Sequence, residues 1–220
     1  MNPKENHRYK RLVAILIAVW FVVALSASAL RVFQTASPAS IHAPLPLGLA
    51  VLVPIMLFTL WWASSPGFRQ FALSQNPRTL TVMQAWRLGG FVFLILQAHQ
   101  ILPGAFALPA GWGDIFIGAT APLVSMYLAN PVHRRSFMAW QILGMLDLAM
   151  AVTLGILTSA SPVGILAHGL TTDAMSVLPL SLIPTFAVPL LMIFHIVCIA
   201  QAVRWPQEGA LGIGQRPHVV

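Results

Sequence analysis

Residues 79–98, TLTVMQAWRLGGFVFLILQA, and residues 137–157, FMAWQILGMLDLAMAVTLGIL, decide the fold class. A helix that crosses a bilayer needs about 20 mostly apolar residues. Both stretches meet that length, and each carries one charge in its middle, Arg87 in the first and Asp147 in the second. A charge at that depth costs about 3 kcal/mol or more and persists when it faces the protein interior and finds a partner. The two stretches therefore predict membrane helices that share a buried polar site.

The rest of the chain agrees. Of its 220 residues, 58% are hydrophobic and only 8% are Asp, Glu, Lys or Arg, with a mean hydropathy of +0.81. Soluble domains carry roughly 25% charged residues, so a water-soluble fold of this size lacks the charge to cover its surface. The same reading extends to six spans, at 12–30, 47–63, 80–102, 112–129, 137–158 and 178–203. The fold class is thus all-α, a polytopic membrane helix bundle. It forms a single transmembrane domain over residues 1–220, with short cytoplasmic tails at 1–11 and 204–220.

Basic residues set the orientation. With the N-terminus in the cytoplasm, the inner segments hold Lys4, Arg8, Lys10, Arg11, Arg69, Arg78, Arg134, Arg135, Arg204 and Arg216, while the outer segments hold Arg31 alone. That asymmetry follows the positive-inside rule and puts both termini in the cytoplasm. Trp61, Trp62, Trp86, Trp140 and Trp205 fall near the same boundary, where indole rings anchor helices. The net charge of +7 is read as topology and lipid-headgroup contact rather than nucleic-acid binding. The expected partner is the lipid bilayer, with a homo-oligomer or a membrane complex as further expectations. The expected location is the bacterial inner (plasma) membrane. The opening residues also resemble a secretory signal, with LVAILIAVWFVVAL followed by SASA. A retained first helix is the expectation here.

Interior prolines interrupt several spans: Pro54, Pro122, Pro184 and Pro189. Each removes a backbone donor and kinks or loosens its helix. The sequences LPLGLAVLVPIMLF and LPLSLIPTFAVPLLMIF open spans two and six alike, a weak internal likeness of the kind found in transporters.

Depth can be read from the rise of 1.5 Å per residue. It puts Arg87 roughly 10 Å, Asp147 roughly 15 Å and His195 roughly 12 Å from the cytoplasmic boundary. Gln84 precedes Arg87 by three residues and shares its helix face. Gly144 and Ala151 flank Asp147 and admit a close helix neighbour. Arg87, Asp147, His195 and Gln84 form the inner candidate site, with an Arg87–Asp147 ion pair at its centre.

A second candidate lies at the outer face. His99 ends span three and Asp114 opens span four after the turn PAGWG. Gln97, Gln100, His42, His168 and Asp173 are the other polar groups on that side. Histidines and carboxylates together suit a divalent metal, but no HExxH or His-x-His spacing supports one. The plainer expectation is that Asp114 bonds backbone or His99 at a helix start.

Other chemistries fall away. A retinal protein needs a buried lysine, and the lysines are Lys4 and Lys10. A haem shared by His99 and His195 fails because the two lie roughly 16 Å apart along the membrane normal. No P-loop, GxSxG or CxxCH motif is present, and the lone Cys198 has no disulfide partner. Cofactor and metal are unassigned. The leading expectation is transport or ion and proton translocation through the Arg/Asp/His layer. The alternatives are a membrane-embedded enzyme using His99, Asp114 and His168, and an accessory or assembly subunit of a membrane complex.

Overall fold

The computed structural model describes residues 3–34 and 45–205, and all its regular structure there is helical. Eight α-helices are joined by short 3₁₀ and π stretches: α1 (Pro3–Ala29), α2 (Leu45–Ser64), α3 (Pro66–Leu73), α4 (Pro77–Val82), α5 (Phe91–Ala98), α6 (Gly104–Leu123), α7 (Arg134–Leu157) and α8 (Val188–Val203). A 3₁₀ stretch, Met83–Gly90, joins α4 to α5, so that Pro77–Ala98 is one continuous rod. A π turn, Ile183–Ala187, leads into α8.

Among the described residues, five helical segments are long and apolar enough to cross a membrane: Pro3–Ala29, Leu45–Ser64, Pro77–Ala98, Pro131–Leu157 and Ile183–Val203. They suggest membrane integration. The burial pattern is that of a protein solvated by lipid. Leu16, Leu52, Leu57, Leu60 and Leu146 are exposed, whereas Gln84, Gln141, Thr81 and His195 are fully buried.

α6 differs from those five. Its residues include four glycines, Asp114, Pro109 and Pro122. It nevertheless packs closely against the Met83–Gly90 stretch, α5 and α7, burying Ala107, Ala110, Gly111, Ile117, Gly118 and Ala121. Small residues let it lie against the 3₁₀ stretch at backbone distance. A Cβ on Gly118 would stand 2.6 Å from the Leu88 nitrogen. α1 and α2 are peripheral, with Ala24 and Ser28 buried in the first and Val51 in the second.

The two ends of the bundle are unlike. At one, which we call the basic end, Asn76–Pro77 and Asn130–Pro131 start helices in the same way. Each Asn side chain accepts from a backbone N–H, of Arg78 and of His133, and each proline fills the first helical position. Ser65 caps α3 likewise at 3.2 Å. Aromatic packing ties α1, α2 and α3 together there, with Trp61 stacked on Phe68 at 3.7 Å and Tyr9 on Phe71 at 5.6 Å. The other end, the loop end, carries residues 30–34, 99–103 and 158–182. Thr172 closes it by donating from its amide to the Thr158 carbonyl and from its hydroxyl to the Gly155 carbonyl.

Several expected boundaries move. Span one begins at Pro3, so its basic tail is helical. The helix at the expected fourth span begins at Gly104 rather than 112, because PAGWG continues a helix already started at Pro103, whose carbonyl accepts from Phe106 and Ala107. Pro109 sits in the second turn and forfeits one hydrogen bond near the helix start, which the helix tolerates. Span six begins at Ile183 rather than 178. The tail from 206, with Arg216, and His42 lie outside the described residues.

Candidate functional site

The 3₁₀ winding of Met83–Gly90 organises the site. With three residues per turn, side chains at i and i+3 eclipse. The buried residues of this stretch are Gln84, Arg87 and Gly90. Thr81 precedes them and Phe93 follows, both buried. Five residues at a strict spacing of three therefore form one straight line facing α6, α7 and α8.

Arg87 is the centre of that line and is 3% exposed. Its Nε donates to Asp114 Oδ1 at 2.7 Å, its Nη1 to the Gly144 carbonyl at 3.1 Å, and its Nη2 to Asp147 Oδ2. One guanidinium thus holds two carboxylates from two helices. The fork shape of Arg suits this, whereas a lysine ammonium presents no such planar set. The paired groups sit where glycines leave room. Asp114 packs on Gly90 and Asp147 on Gly113; a Cβ at either glycine would overlap the carboxylate side chain.

With both carboxylates ionised, two against one cation would leave one unit of negative charge uncompensated by protein groups in contact. In a low-dielectric interior such a surplus is costly unless a proton or a cation offsets it.

Towards the basic end a ladder of neutral polar groups follows. His195 Nδ1 donates to Gln141 Oε1 at 2.5 Å, and Gln141 Nε2 donates to the Thr81 hydroxyl at 3.0 Å. Thr81 lies 3.9 Å from the Cys198 sulfur. Gln84 Nε2 donates to the Leu191 carbonyl at 3.1 Å, and Gln201 Nε2 bonds the Gln75 carbonyl at 2.8 Å. The His195 ring lies against Gly144, where a Cβ would overlap it, and beside Trp140 at 5.8 Å. Trp140 in turn donates to the Thr120 hydroxyl at 3.0 Å. His195 Nε2 and Gln84 Oε1 have no hydrogen-bond partner among the described residues.

Towards the loop end lies a cavity of about 100 Å³. Its deep end is Asp114, and its walls are mainly apolar, including Phe93, Phe106, Leu148 and Val188. Its mouth carries Ser161 and the exposed Asp173. Arg87, Asp147, His195 and Gln84 do not line it.

The structure therefore brings Arg87 and His195 together at Gly144, with Asp147 on Arg87, while Gln84 bonds the Leu191 carbonyl instead. It moves Asp114 from the outer candidate to the inner one. With the helix starting at Gly104, Asp114 lies half-way along α6 rather than at its start, and it faces Arg87 rather than His99. His99 and His168 are exposed at the loop end. Among the described residues no group of three or more His, Cys, Asp or Glu side chains is placed to hold a metal ion. Thr81 and Gln141 were not anticipated. The signal for them was spacing: Thr81 stands three residues before Gln84, and Gln141 three before Gly144 and six before Asp147.

No curated protein and no solved structure matches this chain. A family model matches residues 43–203, from before α2 to the end of α8, and so covers every residue of the Arg87 layer and its ladder. The chain belongs to the family described as Domain of unknown function (DUF8737).

Proposed function

We propose that this member of the DUF8737 family is a six-helix integral membrane protein that translocates an ion, a proton or a small solute. Its sixth crossing is α6 with the π turn that extends it to Leu128. α6 falls short of the other five in hydropathy because it carries glycines, prolines and Asp114, yet it exposes Leu108, Trp112, Phe116 and Leu123 as a lipid-facing side would. The basic end faces the cytoplasm of a bacterial plasma membrane, in keeping with the positive-inside rule.

One observation carries the reading. A cavity from the loop end terminates on Asp114, one of two carboxylates sharing a single guanidinium. An intramembrane ionisable group in contact with a cavity marks a pathway for ions or substrate. The surplus negative charge gives the pathway a cationic preference, with a proton as the smallest occupant.

The test is flux. Purified protein in sealed liposomes under an imposed potential is compared with empty liposomes, using an internal pH dye. Faster proton entry that is lost in Asp114→Asn supports translocation. A rate equal to that of empty liposomes overturns it. Orientation is tested separately in cells. With Cys198 replaced by Ala, Asp173→Cys should react with a membrane-impermeant maleimide added outside, and Arg135→Cys should not.

A further inference from the structure

The cavity has a composition more particular than an ion path requires. It ends on a carboxylate, and its ionisable lining groups are Asp114 and Asp173, both acidic. Among the described residues no Lys, Arg or His lines it. Three aromatic rings, Phe33, Phe93 and Phe106, share its wall, and the last two stand 5.4 Å apart with planes tilted by 59°. Aromatic faces attract a cation, most strongly where water is excluded. Much of the remaining wall is aliphatic, which a hydrated metal ion or a bare proton does not use.

A carboxylate at the floor, rings at the sides and aliphatic packing between them match one ligand chemistry, that of an ammonium group with a short hydrocarbon tail. Size sets the length of the tail. A dry cavity of about 150 Å³ holds benzene, so a volume of about 100 Å³ takes about four non-hydrogen atoms, and a chain one carbon longer reaches into its open mouth. We infer that the cavity binds a small aliphatic ammonium ion, with its nitrogen on Asp114 and its chain against Phe93 and Phe106. This rests on the cavity being the ligand site of the preceding section, and not on translocation itself.

The interior supplies its own reporter. Cys198 is the one cysteine of the chain and is 1% exposed, so a thiol-reactive fluorophore reads unfolding directly. Detergent-solubilised protein is melted in that assay with n-butylammonium, n-butanol or n-butyrate, and affinities are taken from the concentration dependence of the melting temperature. The charged ligand should bind about tenfold more tightly than the alcohol, since charge-assisted hydrogen bonds exceed neutral ones by that order. Butyrate should not bind.

Asp114→Asn should remove the preference for charge. Because that variant disturbs the Arg87 cluster and its folding, Gly155→Leu provides the second arm. Gly155 lines the cavity, and a Cβ there meets Phe106 at 3.7 Å, an ordinary contact. Its longer side chain should fill the cavity and abolish butylammonium binding in a folded protein. Equal binding of the alcohol, tighter binding of butyrate, or undiminished binding in folded Gly155→Leu would each overturn the inference. Binding without flux would retain it and remove translocation. Flux without ammonium preference would do the reverse.

Discussion

On the basic side of Arg87 the interior is filled; on the loop side it is hollow. α7 and α8 contribute to both halves, and both contain polar groups. In the filled half those groups are neutral, fully buried and bonded to one another from His195 to Cys198. In the hollow half they are a carboxylate at the floor and hydroxyls and a second carboxylate at the mouth, with apolar walls between. A packed ladder specifies how helices sit against each other, because its bonds from His195 through Gln141 to Thr81 form in one arrangement only. A cavity with one charged floor group leaves chemistry available to a visitor. The proposed function gives structural duty to the filled half and binding to the hollow one, with Arg87 as the boundary.

The largest effect should come from removing that boundary. Arg87→Met leaves Asp114 and Asp147 buried without their cation and should cost about 3–5 kcal/mol, seen as loss of folded protein or early reaction of Cys198 with a thiol dye. Wild-type stability in that variant would mean that the cluster holds nothing together. Next, Gln141→Leu strips His195 Nδ1 of its acceptor and Thr81 of its donor, and should cost about 1–3 kcal/mol in the same assay.

The sharpest comparison lies within α7. Gly144 belongs to the filled half and touches His195; Gly155 belongs to the hollow half. Gly144→Ala should destabilise by about 1–3 kcal/mol through overpacking. Gly155→Ala should stabilise by about 0.5–1 kcal/mol, because alanine favours helix and the space is open. Equal responses at the two positions would erase the distinction between the halves.

Much of this was legible in the residues. Arg87 and Asp147 announced themselves as charges inside apolar runs, and helical rise placed His195 at their level. Asp114 was misread for a local reason. Proline and glycine in PAGWG signal a turn in water, but within a packed membrane bundle they serve a helix that needs small residues on its buried face. The hollow was not legible at all, since it depends on which apolar side chains fail to meet, a property of three helices together. The neutral ladder was half legible. Gln84 could be placed beside Arg87, but Thr81 and Gln141 are unremarkable until a spacing of three is recognised as the period of the segment.

That period has a mechanical consequence. A 3₁₀ turn advances about 2.0 Å and 120° per residue, against about 1.5 Å and 100° in an α-helix. Rewinding the eight residues Met83–Gly90 as α-helix would shorten the rod by about 4 Å and fan the straight line by about 20° per residue. Gln84 and Gly90 would no longer point the same way, so Arg87 could not keep Asp114, Gly144 and Asp147 together. Three acceptors on one guanidinium therefore tie the direction of this face to the length of the rod, as a thread ties the turn of a screw to its advance.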